Sequence, residues 1–252
     1  MVYNTPQDLI PLIAQLPKPA LVGISGFGGS GKSTLAQKLS QQISCATLSV
    51  DGFFKTNFKN YQGETMIHAS QHLTSPINQV TPESPSARYQ THKAEQPDQA
   101  GEVTLADQAT GDQINQAPLS TPPNYQWIDF DRLRSQVLIP FLEGQTLINY
   151  QEFNWETGIL DIQATLTIPE SAILVLEGVG LFRPGIKELC TLKIWIDCPI
   201  EVATSRGKLR DKQVYGVDND ILWDGIWKQN DLAHYQIHEP YRVADLVIES
   251  LC

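Results

Sequence analysis

Residues 26 to 34 read Gly26-Phe27-Gly28-Gly29-Ser30-Gly31-Lys32-Ser33-Thr34, a full G-x-x-x-x-G-K-[ST] pattern. Glycines at this spacing let the backbone wrap with its N–H groups turned inward. A helix starting directly after the loop adds its positive end, and together they cradle a polyphosphate. Lys32 then reaches the β- and γ-phosphates, and the Ser33 hydroxyl can ligate Mg²⁺. Thr34 is either a phosphate contact or a helix-capping hydroxyl. The plainer alternative, a chance glycine-rich turn, fails on context: an apolar run precedes the loop and a helical pattern follows it. Nucleotide binding by Gly26, Gly28, Gly29, Ser30, Gly31, Lys32, Ser33 and Thr34 is therefore expected. The loop does not say whether the phosphoryl group goes to water, a protein or a small molecule.

Two carboxylates close other apolar runs. Asp51 follows Val50 and precedes Gly52-Phe53-Phe54. A short carboxylate there can take or orient the proton of an attacking hydroxyl; a capping or turn aspartate is the alternative. Phe53 and Phe54 are either pocket walls or core aromatics. Glu177 ends the run AILVLE and can join Ser33 in the Mg²⁺ shell. Its alternative is a solvent-facing strand end. Residues 206 to 212 hold Arg206, Lys208, Arg210 and Lys212, a local concentration of cations in an acidic chain. Arg206 and Arg210 are four apart and share a helix face. They suit a clamp over a transferring phosphoryl group, against the alternative of a solvated basic face. Asp211 orients Arg210 or caps the turn at Tyr215-Gly216. Trp223 and Trp227 read as packing residues, and His234 and His238 as ordinary surface or partly buried histidines without a metal pattern.

The elements that must position these groups are legible as runs and periods. Residues 20–25, 45–50, 172–177, 191–196 and 243–248 are short apolar runs of the kind buried parallel strands show. Helical patterns cover 7–16, 32–43, 129–142, 200–212 and 220–238, with Pro140 expected to bend or end the third. Residues 145–153 and 161–168 alternate about Trp155-Glu156-Thr157-Gly158, as a hairpin does. Strands separated by helices predict an α/β fold, a parallel five-stranded sheet with helices on both faces. Such sheets bind ligands beyond the carboxyl ends of their strands.

The chain has 252 residues, 18 Lys plus Arg and 28 Asp plus Glu, a formal charge of −10. That balance argues against a nucleic-acid groove. No apolar run is long enough for a membrane span, and the N-terminus does not read as a signal peptide. Cys45, Cys190, Cys198 and Cys252 form neither a zinc pattern nor a disulfide framework. A reducing, cytoplasmic setting is expected. Residues 62–122 lack Phe and Trp, and their basic residues are Arg88 and Lys93. This stretch reads as a flexible insertion or as a cap over the substrate site, inside a single domain spanning 1–252. Glu102-Val103-Thr104-Leu105 could be a strand within it. Oligomeric state stays open, a homo-oligomer included.

Several segments taken in order resemble the uridine kinase-like branch of P-loop small-molecule kinases. They are GFGGSGKST at 26–34, VDGFF at 50–54, WIDFDRL at 127–133, NWETGIL at 154–160, LVLEGV at 174–179, IWIDCP at 194–199, RGKLRD at 206–211 and ADLVI at 244–248. The resemblance implies the P-loop NTPase fold with a helical lid at 200–219. It further implies Mg-ATP as phosphoryl donor and a small hydroxyl compound as acceptor. The family's base aspartate maps onto Asp51 and its lid arginines onto Arg206 and Arg210. Acceptors implied are uridine or cytidine, with pantothenate, glycerate or a sugar phosphate as alternatives in related kinases. The sequence departs from the nucleoside kinases at Phe53 and at Gln126-Trp127-Ile128-Asp129, where they carry Asp-Ser/Asp-Phe-Tyr and His-Pro-Asp. Readings from other classes are a nucleotide hydrolase or switch and a non-catalytic nucleotide-binding protein. A carboxylate of Asp51 tied to backbone amides would favour those.

Overall fold

The computed structural model describes residues 6–56 and 125–250. The 62–122 segment, with the strand expected at Glu102–Leu105 and with His68, His72 and His92, lies outside the described residues.

Seven strands are present among the described residues: β1 (Ala20–Gly26), β2 (Ala46–Ser49), β3 (Leu147–Glu152), β4 (Ile162–Thr167), β5 (Ile173–Glu177), β6 (Leu192–Asp197) and β7 (Leu246–Glu249). Five of them form one sheet in the order β2-β5-β1-β6-β7, and every pairing in it is parallel. The central strands β1 and β5 are buried along their whole length. That is why their sequences are continuous apolar runs without alternation.

Successive strand residues face opposite layers. Val22, Ile24, Val175, Ile194 and Ile196 pack with Leu9 and Ile13 of α1 (Pro6–Ala14) and with Leu35 and Leu39 of α2 (Lys32–Ser40). Leu21, Leu174, Leu176 and Trp195 point the other way, into a cluster with Leu138, Phe141 and Phe182. The sheet is thus covered on both faces, as the expected fold class requires.

Helix α3 runs over 130–142. A π-helical stretch at Arg134–Leu138 stands just ahead of Pro140, and the helix continues to Leu142. Proline has no N–H and its ring crowds the carbonyl four residues back. The widened turn makes room for it, so the helix does not end there. Asp129 caps α3, accepting from the Arg132 N–H at 2.9 Å.

The β3–β4 pair is the expected antiparallel hairpin. Its tip is fixed by Asn154, whose Oδ1 accepts from the Glu156 N–H at 2.9 Å. Helix α4 (Ile200–Arg210) runs on into a π-helical turn at Asp211–Tyr215. Helix α5 spans 220–238 and bends at Gly225, whose φ of −100° and ψ of −112° are not helical. A short α6 (Pro240–Val243) then precedes β7. The last strand therefore starts three residues later than its apolar run suggests, because Pro240 opens a helical turn that takes up Val243.

Candidate active site

Register brings the chemistry together. Ile24 of β1 lies opposite Glu177 of β5, and Glu177 lies opposite Ser49 of β2. Beyond these residues the chain enters the phosphate loop from β1 and the Asp51 turn from β2. Loop, Glu177 and Asp51 therefore share the carboxyl edge of the three adjacent strands, the place where open α/β sheets bind ligands.

The loop is shaped by close approach. Gly29 has φ +81°, and a Cβ there would strike the Ala203 carbonyl of α4. The first helical N–H of α2 to find a carbonyl is that of Leu35, on Gly31 O at 3.0 Å. The amides of Lys32, Ser33 and Thr34 consequently project from the helix start, available to an anion. Lys32 is buried, and its Nζ donates to the carbonyls of Phe27 at 2.7 Å and Gly26 at 3.1 Å. Burial lowers its pKa, while Glu177, Asp231 and Asp51 pull it back up.

The Ser33 hydroxyl donates to Glu177 Oε1 at 3.1 Å. Glu177 is pushed above its ordinary value by burial first and by the charge of Asp51 second. Lys32 and the hydroxyls of Ser49 and Ser33 oppose that shift. Two hard oxygen ligands this close suit Mg²⁺, which takes few protein ligands and completes its shell from phosphate and water. Among the described residues no group of three or more His, Cys, Asp or Glu side chains could hold a metal by itself.

Asp51 lies on the one-turn 3₁₀ helix Val50–Phe53, whose start is capped by Ser49 Oγ accepting the Asp51 N–H at 3.3 Å. Its neighbours are pinned on two sides. The Phe153 N–H donates to Gly52 O at 2.8 Å and the Asp129 N–H to Phe53 O at 2.7 Å. Asp51 as a residue is exposed, and no described donor is hydrogen-bonded to its carboxylate. Partial desolvation of the carboxylate at the sheet edge raises its pKa, against the pull of Lys32 and Arg210. Phe53 and Phe54 are both buried: Phe53 stacks on Tyr150 and Phe54 packs on Trp155.

The basic segment separates into distinct environments. Arg210 Nη2 donates to Asp211 Oδ1 at 2.9 Å, and its guanidinium lies near the rings of Tyr215 and Trp223. It is close enough to Lys32 and Asp51 to shift both. Arg206 is not in that cluster. Its Nη1 donates to Ser250 Oγ at 2.6 Å, and Ser250 in turn donates to the Ser30 carbonyl of the loop. A helix advances about 6 Å in four residues, which sets Arg206 beside the end of β7 and Arg210 over the mouth of the site. Lys208 pairs with Asp224, and Lys212 with Asp218 and Asp220, on the surface.

The structure adds residues that no motif announces. Asp231 of α5 is buried, and its Oδ2 accepts the Gly28 N–H at 2.8 Å. Its Oδ1 accepts the Tyr125 hydroxyl. Asn230, next to it, accepts the Tyr125 N–H at 2.8 Å. Trp223, taken from the sequence as a packing residue, is buried and also donates its indole N–H to Asp211 Oδ2 at 2.8 Å. His234 is buried, and among the described residues neither ring nitrogen has a hydrogen-bond partner. Burial, with smaller contributions from His238 and Arg183, pushes its pKa down to about 3, so it is neutral. An open cavity of about 530 Å³ lies alongside, lined in part by Lys55, Tyr125, Asp129, Phe130, Arg183 and His238. The Arg183 guanidinium rests 4.2 Å from the centre of the Phe130 ring. Of the signals that could have found these residues, the return of aromatic composition at Tyr125 is the clearest.

Among solved structures, the chain is similar to a possible uridine kinase from Bacillus stearothermophilus. The two share 18% identity and a TM-score of 0.55, with 96% of each chain covered. It is likewise similar to a candidate fructose transport system kinase from Silicibacter sp. TM1040. Here the identity is 19% and the TM-score 0.57, covering 97% of this chain and 99% of that one. At these identities the likeness speaks for the fold. No curated protein sequence matches the chain. Among the described residues no helix is long and apolar enough to cross a membrane. Residues 120–252 match the model of the phosphoribulokinase/uridine kinase family, a stretch that carries Glu177, the basic helix and Asp231. The phosphate loop stands before that stretch and rests on its own sequence and geometry. With more than half of its length matched, the chain belongs to the phosphoribulokinase/uridine kinase family of P-loop kinases.

Proposed function

We propose that this protein is an ATP-dependent kinase that transfers the γ-phosphoryl group to a hydroxyl of a small metabolite. The observation that carries the reading is the state of Asp51. It stands beside Lys32 and Glu177 at the carboxyl edge of the sheet, exposed as a residue and without a hydrogen-bonded donor among the described residues. A carboxylate serving a turn would be spent on backbone amides. One that serves an acceptor must be free to receive its proton.

The roles follow from position. The first-turn amides of α2 and the loop backbone hold the polyphosphate, and Lys32 turns from its loop carbonyls to the β- and γ-phosphates. Ser33 and Glu177 hold Mg²⁺, which supplies charge neutralisation of the phosphate oxygens when bound. Asp51 orients the acceptor hydroxyl and takes its proton as oxygen attacks the γ-phosphorus and the bond to the β-phosphate oxygen breaks. Arg210 offsets charge on the transferring group, and Arg206 braces the loop through Ser250. The cavity beside Tyr125 and Arg183 holds the acceptor. Family membership and the likeness to a possible uridine kinase support uridine or cytidine as acceptor. Pantothenate, glycerate and sugar phosphates are the further candidates; the cavity wall carries Lys55 and Arg183 beside Asp129 and Asp131, so its charge does not choose among them.

The test is an ATP-consumption screen over nucleosides, pantothenate, glycerate and sugar phosphates, run with Asp51→Asn alongside. The variant should lose about 10²–10⁴-fold in kcat, the range for a positioned base, with ATP affinity within about threefold. Equal loss of binding and turnover would remove Asp51 from the base role. ATP consumption indifferent to every acceptor would favour a hydrolase.

A further inference from the structure

Three segments far apart in sequence meet at one buried carboxylate. Asp231 is 6% exposed. One of its oxygens accepts the Gly28 amide of the phosphate loop at 2.8 Å, and the other accepts the Tyr125 hydroxyl. Tyr125 is buried, lines the cavity, and carries a left-handed φ of +49°. Both of its donor groups are held by α5, the N–H by Asn230 and the hydroxyl by Asp231. Asn230 is itself fixed, donating to the Ile226 carbonyl at 2.7 Å. Tyr125 thus has little freedom of its own: its backbone conformation is one that a non-glycine residue keeps when its surroundings impose it.

An ionised carboxylate accepts and never donates, so it suits two donors on its two oxygens. The Gly28 N–H is committed to this bond, which leaves phosphate contacts to the amides after it. Asp231 therefore sets where the loop sits without occupying the phosphate position. Lys32 is near enough to feel its charge, so the same carboxylate steadies the ammonium that must swing to the phosphates.

We propose that Asp231 is a positioning residue of the reaction, clamping the phosphate loop at Gly28 to the acceptor wall at Tyr125. The clamp fixes the separation between donor and acceptor half-sites, on which in-line attack depends. The inference rests on the kinase reading for its catalytic consequence, but the mechanical link between Gly28 and Tyr125 stands apart from it.

Two variants preserve shape. Tyr125→Phe removes one donor, and Asp231→Leu removes both accepting oxygens, whereas an Asn could keep both links by turning its NH2 toward the tyrosine oxygen. In a double-mutant cycle on ATP affinity, read by isothermal titration, each single variant should weaken binding by about 3–10-fold. The double variant should be no weaker than the worse single, since residues acting through one link are not additive. Losses that multiply, or single losses under about twofold, would overturn the clamp. The second measurement uses the acceptor that the wild-type protein phosphorylates. Asp231→Leu should lower kcat by about 10–100-fold with the acceptor KM within about threefold, the signature of an interaction needed in the transition state. An unchanged kcat per folded molecule would mean that the residue only supports the fold, and would overturn the positioning role. Should the wild-type protein phosphorylate no hydroxyl compound, the kinase reading falls and the affinity cycle still decides the clamp.

Discussion

Asp211 gives the most quantitative prediction for the lid. It is 3% exposed and gathers donors from three places. Its Oδ2 accepts the Trp223 indole N–H at 2.8 Å and the Asn219 amide at 3.0 Å, and its Oδ1 accepts Arg210. Asp211→Ala would leave two buried donors without an acceptor. Each orphaned donor costs about 1–3 kcal/mol, so the loss is about 2–6 kcal/mol. The Arg210 pair adds under about 1 kcal/mol, because that guanidinium is half-exposed and screened. For a protein of this size 1 kcal/mol moves Tm by about 2–4 °C, which puts the fall at roughly 4–24 °C. Asp211→Asn keeps one accepting oxygen and should fall between this and the wild type. Lys208→Ala is the control on the same helix. Its partner Asp224 is 62% exposed at 2.6 Å, so the loss should stay under about 1 kcal/mol. Circular-dichroism melts of the three variants decide the matter. If Asp211→Ala melts within about 2 °C of Lys208→Ala, the hub is not carrying the lid as argued.

Two further outcomes follow from the charges. Folding raises the pKa of Glu177 above its ordinary 4.5, so the folded state takes up a proton before the unfolded state as pH falls. In the window between the raised value and 4.5 the folded state binds more protons, and stability grows as pH falls through it. Glu177→Gln should therefore be more stable than wild type at pH 7, with the gap closing toward pH 5 in urea unfolding; a gap that widens on acidification contradicts this. Arg210→Ala should lower kcat by about 10–100-fold through lost charge stabilisation, whereas Arg206→Ala, which touches the loop through Ser250, should cost turnover less than about tenfold. Equal losses in steady-state rates would mean that the two arginines act as a single clamp.

The parallel sheet is legible in the sequence because burial on both faces writes itself as uninterrupted apolar runs, and β1, β5 and β6 fall on theirs. Boundaries are less so. The run at 243–248 gives way to a helical turn at Pro240–Val243 because a proline suited to a first helical turn stands just before it. Around Pro140 the residue types say that the helix must yield, while the way it yields, a widened turn at Arg134–Leu138, depends on packing of Val137, Leu138 and Phe141 that no local pattern encodes.

The site divides along the same line. Gly26 to Thr34 is readable because a phosphate loop is contiguous: its amides, lysine and hydroxyl are nine neighbours in sequence. Asp51 and Glu177 are readable at one remove, because both end apolar runs and parallel sheets gather such ends on one edge. The Arg206–Arg210 pair shows where spacing stops being enough, since a shared helix face does not fix what each long side chain meets. Asp231 is beyond any of these signals. It stands in the ordinary polar helical sequence Lys228-Gln229-Asn230-Asp231-Leu232, 203 residues from Gly28 and 106 from Tyr125. Its meaning comes from the bend at Gly225, which sets the course of the helix that carries it. The amides, lysine and hydroxyl that cradle the phosphates are contiguous in the chain. A group that sets the distance between two half-sites must come from a third element, and its sequence carries no trace of the other two.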